Sequence, residues 1–184
     1  MRFLLLTLFL VSSAASVQAA EWFQHKFGEE RAYIGHWLAV CQKKGKGACR
    51  LFQAEMREGS DPFFGEAWMW MRPKKAGWNL RIGGYTITNS ENLSDVVFSF
   101  HGRKIALPAE AHDVARNGSS RTTNVFEIVD DEFSAKIFEE MKRSNLMQVT
   151  FKEGENSSTV TIGLKGLRQA SQIVEKRHRE NLGE

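Results

Sequence analysis

Hydrophobic positions along the chain change period several times, and each change marks an element. Two apolar-rich runs, Ile34–Cys41 and Cys49–Met56, flank Gln42-Lys43-Lys44-Gly45-Lys46-Gly47-Ala48. This pattern predicts two antiparallel strands and their turn, with a cysteine at each edge of the loop. Glu21 to Arg31, before them, is polar and irregular, with Trp22, Phe23 and Phe27 as points of attachment. Glu66 to Arg72 is apolar on both alternating faces, which suits a strand covered on two sides or one whose tryptophans are partly exposed. Trp78–Ile82 alternates as a half-buried strand. Val96, Phe98 and Phe100 alternate with Val97, Ser99 and His101, and Gly102 allows a reversal into Lys104–Leu107. His112 to Thr123 is polar and reads as a loop, and Val125–Ile128 as another strand.

From Asp130 the period lengthens. Phe133, Ile137 and Met141 recur every fourth residue with Phe138 beside them, predicting a helix over Asp130–Leu146. Acids at its start and Lys142-Arg143 at its end match the helix dipole. Alternation returns at Met147, Val149 and Phe151 and again at Val160, Ile162 and Leu164, a second hairpin. A final helix starts near Gly166 with Leu167, Ala170, Ile173 and Val174 inward, and a frayed charged tail is expected from Glu175. The expectation is a mainly β chain: an antiparallel β-sandwich with two short helices near the C-terminus and one hairpin clipped by a disulfide.

The first residues read as an address. Arg2 supplies a positive start, Phe3 to Val11 form an apolar run, and Val17-Gln18-Ala19 fits a signal-peptidase site. The run is shorter than the roughly 20 residues a transmembrane helix needs, so an integral membrane protein is not expected. Residues 1–19 are thus read as a signal peptide and 20–184 as a single β-sandwich domain. An exported chain with two cysteines, Cys41 and Cys49, is read as carrying one disulfide. Their spacing is wrong for a zinc knuckle, and no second Cys/His pair completes a tetrahedral site. Charge is nearly balanced, 25 Lys plus Arg against 22 Asp plus Glu, which does not argue for a nucleic-acid partner.

Catalytic signatures are sparse. The five histidines show no i, i+4 or i, i+2 pairing, and no serine sits in a G-x-S-x-G elbow. Gly45-Lys46-Gly47 lacks the strand-to-helix setting of a phosphate loop. Asp130-Asp131-Glu132 reads as helix-opening acids rather than a cation site. Three Asn-x-Ser triplets match the glycosylation sequon, a pattern that arises often by chance. No catalytic residue, metal or cofactor is therefore expected. Phe63, Phe64, Trp68 and Trp70, with Trp78 close behind, stand out. The default seats them in the core; the alternative is an exposed patch or groove for a partner, and the four form the candidate binding site. Trp68 and Trp70 share a strand face, so both enter the core or neither does.

Gly35-His36-Trp37-Leu38-Ala39-Val40-Cys41 resembles the G-D-W-x-x-x-C opening of the invasion-associated locus B family of bacterial exported proteins. Val160–Ala170 resembles the family's closing strand with its S-L-K-G-F-x-x-A motif, and Phe133–Phe151 sits where the family has a helix and strand. His36 stands where the family has an acid, Gly163 where it has Ser, and a second cysteine pair is absent. The resemblance implies a β-rich protein, periplasmic or secreted in a Gram-negative bacterium, linked to host-cell invasion, virulence or envelope function. It brings no catalytic residues. The expectation is a non-catalytic binding or envelope-accessory protein whose partner is a protein or envelope component. A periplasmic hydrolase with a dispersed site, and an inhibitor or chaperone-like module offering sheet edges, stand as alternatives.

Overall fold

A computed structural model of the chain describes residues 20–42, 47–54, 67–75, 77–84, 86–117 and 120–183. The segment read as a signal peptide, residues 1–19, lies outside the described residues, as do Phe63 and Phe64. In chain order the strands are β1 (Phe23–Gln24), β2 (Glu30–Ile34), β3 (Trp37–Cys41), β4 (Cys49–Ala54), β5 (Ala67–Pro73) and β6 (Trp78–Gly84). There follow β7 (Leu93–Phe100), β8 (Arg103–Ala106), β9 (His112–Asn117) and β10 (Ser120–Ile128). Helix α1 (Asp131–Lys142), strands β11 (Leu146–Glu153) and β12 (Asn156–Gly163), and helix α2 (Leu167–Leu182) complete the chain.

Two antiparallel sheets divide the strands. The larger has the order β1-β2-β3-β4-β5-β6-β10-β9, and the smaller β12-β11-β7-β8. Residues alternating along each strand, such as Met69 and Met71 on β5 or Leu80 and Ile82 on β6, meet Phe98, Val149, Phe151 and Ile162 of the smaller sheet in one core. The helices extend that cover. α1 packs on β6, β7 and β10, and α2 on β2 to β5, so the inner face of the larger sheet is sealed by apolar side chains. This is the antiparallel two-sheet fold with two C-terminal helices that the pattern predicts.

The predicted helix stripe forms. Ile137 and Met141 are fully buried and Phe138 nearly so, while Asp130 lies outside the helix as its N-cap and accepts a hydrogen bond from the Phe133 N–H at 2.6 Å. The side-chain oxygen satisfies a backbone donor that has no partner within the first turn. Ser134, on the buried side, donates to the Trp78 carbonyl at 2.6 Å and pins α1 to β6.

Four expectations are corrected. Gly35-His36 is a turn between β2 and β3, within the run read as one strand: Gly35 has φ +59°, and a Cβ there would meet the Lys165 carbonyl oxygen at 2.7 Å. Glu21–Arg31, read as irregular, holds β1 and the start of β2, paired antiparallel, and β2 continues with Ala32 and Ile34 facing inward and Tyr33 exposed. His112 to Thr123, read as a loop, is most of the hairpin β9–β10, with β9 at the sheet edge. An edge strand is polar because one side faces solvent, and that polarity mimics a loop. Finally, the tail from Glu175 is helical to Leu182 and docked, not frayed. Arg177 pairs with Glu30 at 2.5 Å, the Cys49 N–H donates to His178 Nδ1 at 3.1 Å, and buried Asn181 lies 3.7 Å from Cys49 Sγ.

Candidate binding site on the outer face of the larger sheet

Cys41 and Cys49 face each other across β3 and β4 and are disulfide-bonded, both fully buried beneath α2. The bond fixes the register of the two strands that carry the middle of the site. With the inner face of the sheet committed to the core, the intervening residues of each strand point to the opposite face.

Register assembles that face into rows. In one row Tyr33 pairs with Leu38, Leu38 with Phe52, Phe52 with Trp70, Trp70 with Arg81, and Arg81 with Glu127. A neighbouring row sets Arg31 beside Val40 and Val40 beside Arg50, and farther along it Arg72 beside Asn79. A third sets Trp68 beside Gly83 and Gly83 beside Val125. An aromatic row therefore runs alongside an arginine row.

The sheet curls toward these side chains. Arg31 of β2 and Ala115 of β9, six strand positions apart, line the same cavity of about 270 Å³. In a flat sheet with strands about 4.8 Å apart they would stand almost 30 Å from each other. The rest of the lining is Leu38, Val40, Arg50, Phe52, Trp68, Trp70, Arg81, Thr122 and Val125. Val40, Ala115 and Val125 are buried here although they are not part of the main core, and they form an apolar floor. β10 breaks register with β9 between Thr122 and Phe126, and such an irregularity increases local bending.

Trp68 and Trp70 are both half-buried on this face, while Met69 and Met71 between and after them fill the core. Of the two readings of Glu66–Arg72, the one with partly exposed tryptophans holds, and the default that seats them in the core does not. Gly83 makes room for Trp68: a Cβ there would stand closer than 3.0 Å to three indole atoms. Phe52 stacks on Trp68 with ring centroids 6.2 Å apart. Two guanidiniums lie over the Trp70 ring, Arg81 at 4.7 Å and Arg72 at 5.3 Å from the ring centroid.

Among the described residues, Glu29 and Glu127 pair with arginines of this face. Glu29 binds Arg31 at 2.7 Å and Arg50 at 2.8 Å. Burial alone would raise the Glu29 carboxyl, but the hydrogen bonds from Arg31 and Arg50 and their charges outweigh it and hold the group below its ordinary value. Glu127 binds Arg81 at 2.8 Å and also accepts from Asn79. Among the described residues, no carboxylate lies within ion-pair distance of Arg72, which is pushed below the usual guanidinium value by burial and by the charges of Arg81 and Arg50, with Glu127 acting the other way.

Trp68 and Trp70 are the candidate site residues that the structure brings together here. Phe52, Leu38 and the four arginines escaped the sequence reading. Their alternation was visible, but nothing local says that seven strands bend around one cavity. No family model matches the chain, and neither does any curated protein or solved structure. Among the described residues no three His, Cys, Asp or Glu side chains are grouped to hold a metal ion, and no helix is long and apolar enough to cross a membrane.

Proposed function

We propose that this chain is an exported, non-catalytic binding protein or envelope accessory that binds through the outer face of its larger sheet. The observation that carries the reading is the cavity there: half-buried indoles and a phenyl ring beside guanidiniums, above an apolar floor. Tryptophan and arginine dominate binding energetics where they are partly desolvated, and leaving two indoles outside the core gives up stability that burial would provide. Glu29 and Glu127 are engaged by arginines that line the cavity, and Glu29, held ionised below its ordinary value, is a weak general base. That favours binding over hydrolysis. The buried disulfide and the apolar run at Phe3–Val11 support export to an oxidising compartment. The resemblance to the invasion-associated locus B family extends the proposal to a Gram-negative envelope and a part in host-cell invasion or virulence.

The test is Trp70→Ala in protein comprising residues 20–184, made with the disulfide formed. The variant is expected to keep its melting temperature within a few degrees and to lose capture of the envelope component that the unaltered protein retains, with a loss of about 2 kcal/mol or more. Equal capture by both proteins, or a folding cost of about 3–5 kcal/mol as for a core tryptophan, would reject the reading. A hydrolase would instead consume the captured component. Export is tested separately, by fusing residues 1–25 to a reporter active only outside the cytoplasm; an inactive fusion removes the exported part of the proposal.

A further inference from the structure

We infer that the open edge of β12 pairs with the same strand of a second copy of this chain, joining two smaller sheets into one across a two-fold axis. β12 ends the smaller sheet. It pairs with β11 on one side, and among the described residues no backbone group bonds to its other side. Alternate residues of such a strand point their N–H and C=O groups away from the sheet, a template for another strand. Folded proteins blunt these edges with charge, proline, bulges or short length. Among the described residues the other three sheet ends are blunted in this way. β1 is two residues long, and β8 carries Arg103 and Lys104, both exposed. β9 carries exposed Asp113 and Arg116 and stands beside a register shift in β10. β12 has none of these devices. Its eight residues, Asn156 to Gly163, include no charge and no proline, and all of them pair with β11 without a shift.

The residues of the strand select its partner. Gly163 is hemmed in by the β2–β3 turn, since a Cβ there would stand 2.8 Å from His36 Nδ1, so the free stretch is Asn156–Ile162. Its middle residue is Thr159. Antiparallel pairing about that residue sets Thr159 against its own copy, Ser158 against Val160, Ser157 against Thr161 and Asn156 against Ile162. Ser157, Thr159 and Thr161 share the outer face of the smaller sheet, where the Thr159 hydroxyl already lies 2.9 Å from that of Thr150 on β11. The joined sheet therefore continues a row of hydroxyls, with Val160 and Ile162 of both copies on the buried side. Cross-strand Thr–Thr and Thr–Ser pairs are favourable, and no like charges meet. A foreign strand would gain the same backbone bonds, but β12 offers no charge by which to choose it. The self-match is the selective feature, and an isologous contact of this kind closes at two copies. This surface lies on the other sheet from the cavity and goes beyond the binding role proposed there.

A contact through one strand edge is at the small, weak end of protein interfaces, so sedimentation velocity should follow the disulfide-bonded 20–184 protein from about 10 µM to about 1 mM. A monomer–dimer equilibrium is expected. Thr159→Lys and Thr159→Glu, at an exposed position, set like charges opposite each other at the two-fold axis. Each should weaken the dimer by about tenfold or more, with a melting temperature within a few degrees of the parent. An equimolar mixture of the two variants should regain a dimer at least as tight as the unaltered one, because Lys and Glu then face each other. That recovery separates a lost interface from a damaged fold. A monomer at every concentration, or a dimer that neither substitution weakens, overturns the inference, and no recovery in the mixture overturns pairing about Thr159. If the unaltered protein is monomeric yet retains an envelope component that Thr159→Lys does not, a foreign strand occupies the edge and the second copy is rejected.

Discussion

At the scale of single residues, the outer face depends on a fit between one ring and one missing methyl group. Trp68 lies against Gly83 on the neighbouring strand, and alanine at 83 would force the indole aside. Gly83→Ala should therefore cost about 1–3 kcal/mol, the usual range for overpacking a fitted contact. The cost should largely vanish in a Trp68→Ala background, and chemical denaturation of the four proteins reads the coupling. Additive effects would show that the indole does not occupy that seat. Glu29 makes a second residue-scale prediction. Its folded-state value lies below the ordinary 4.5, so it contributes stability that is present above that value and is lost as pH falls through the folded value. Glu29→Gln should be less stable than the parent near neutrality, and the gap should narrow in acid below about pH 4.5, as melting temperatures across pH would record. A gap independent of pH would mean that the Arg31 and Arg50 contacts do not depend on the charge.

At the scale of elements, helix α1 shows how a sequence pattern becomes packing. Its 3.6-residue stripe seats Ile137 at zero exposure against the sheet, while Ala135, two positions earlier, faces solvent. Ile137→Asp should cost more than about 4 kcal/mol, because it buries an unpaired charge, whereas Ala135→Asp should stay within about 1 kcal/mol. Similar melting temperatures for the two variants would place the helix on the wrong face. Helix α2 teaches the opposite lesson. Its second half is rich in charge and reads as a solvated tail, yet it is fastened by Arg177 to Glu30 and by His178 and Asn181 to Cys49. Polar side chains at a buried end are satisfied by specific partners far away in sequence, and no local pattern announces them.

For the whole molecule, the disulfide ties the clipped hairpin, the cap of α2 and the centre of the binding face into one unit. Closing a loop of about nine residues is worth roughly 2–3 kcal/mol on the chain-entropy account. Replacing Cys41 and Cys49 by alanine together should lower stability by about that amount without abolishing the fold, and labelling of denatured, unreduced protein should find no free thiol. Two labelled thiols, or complete unfolding of the double variant, would contradict this. Because β3 and β4 both line the cavity, the same variant is also expected to weaken binding through strand register rather than through any lost contact.

Element type, order and inward residues were legible in the sequence wherever the physics is local. Period two at β6, β7, β11 and β12 and the longer period at α1 follow from backbone geometry acting over a few residues. The pairing of Cys41 with Cys49 followed from two thiols at the ends of one short loop. What the tertiary structure alone decided was non-local. β5 is apolar on both faces, so its alternation could not say which side meets the core; the smaller sheet and the helices made that choice, leaving Trp68 and Trp70 outside. β2, β9 and the end of α2 carry too little apolar signal to be recognised before their partners are known. The convergence of Arg31, Arg50, Arg72 and Arg81 on one aromatic row comes from cross-strand register, and the cavity from curvature accumulated over seven strands. Twist and bending add up between strands, not within them, so no stretch of this sequence contains the site that the folded sheet assembles.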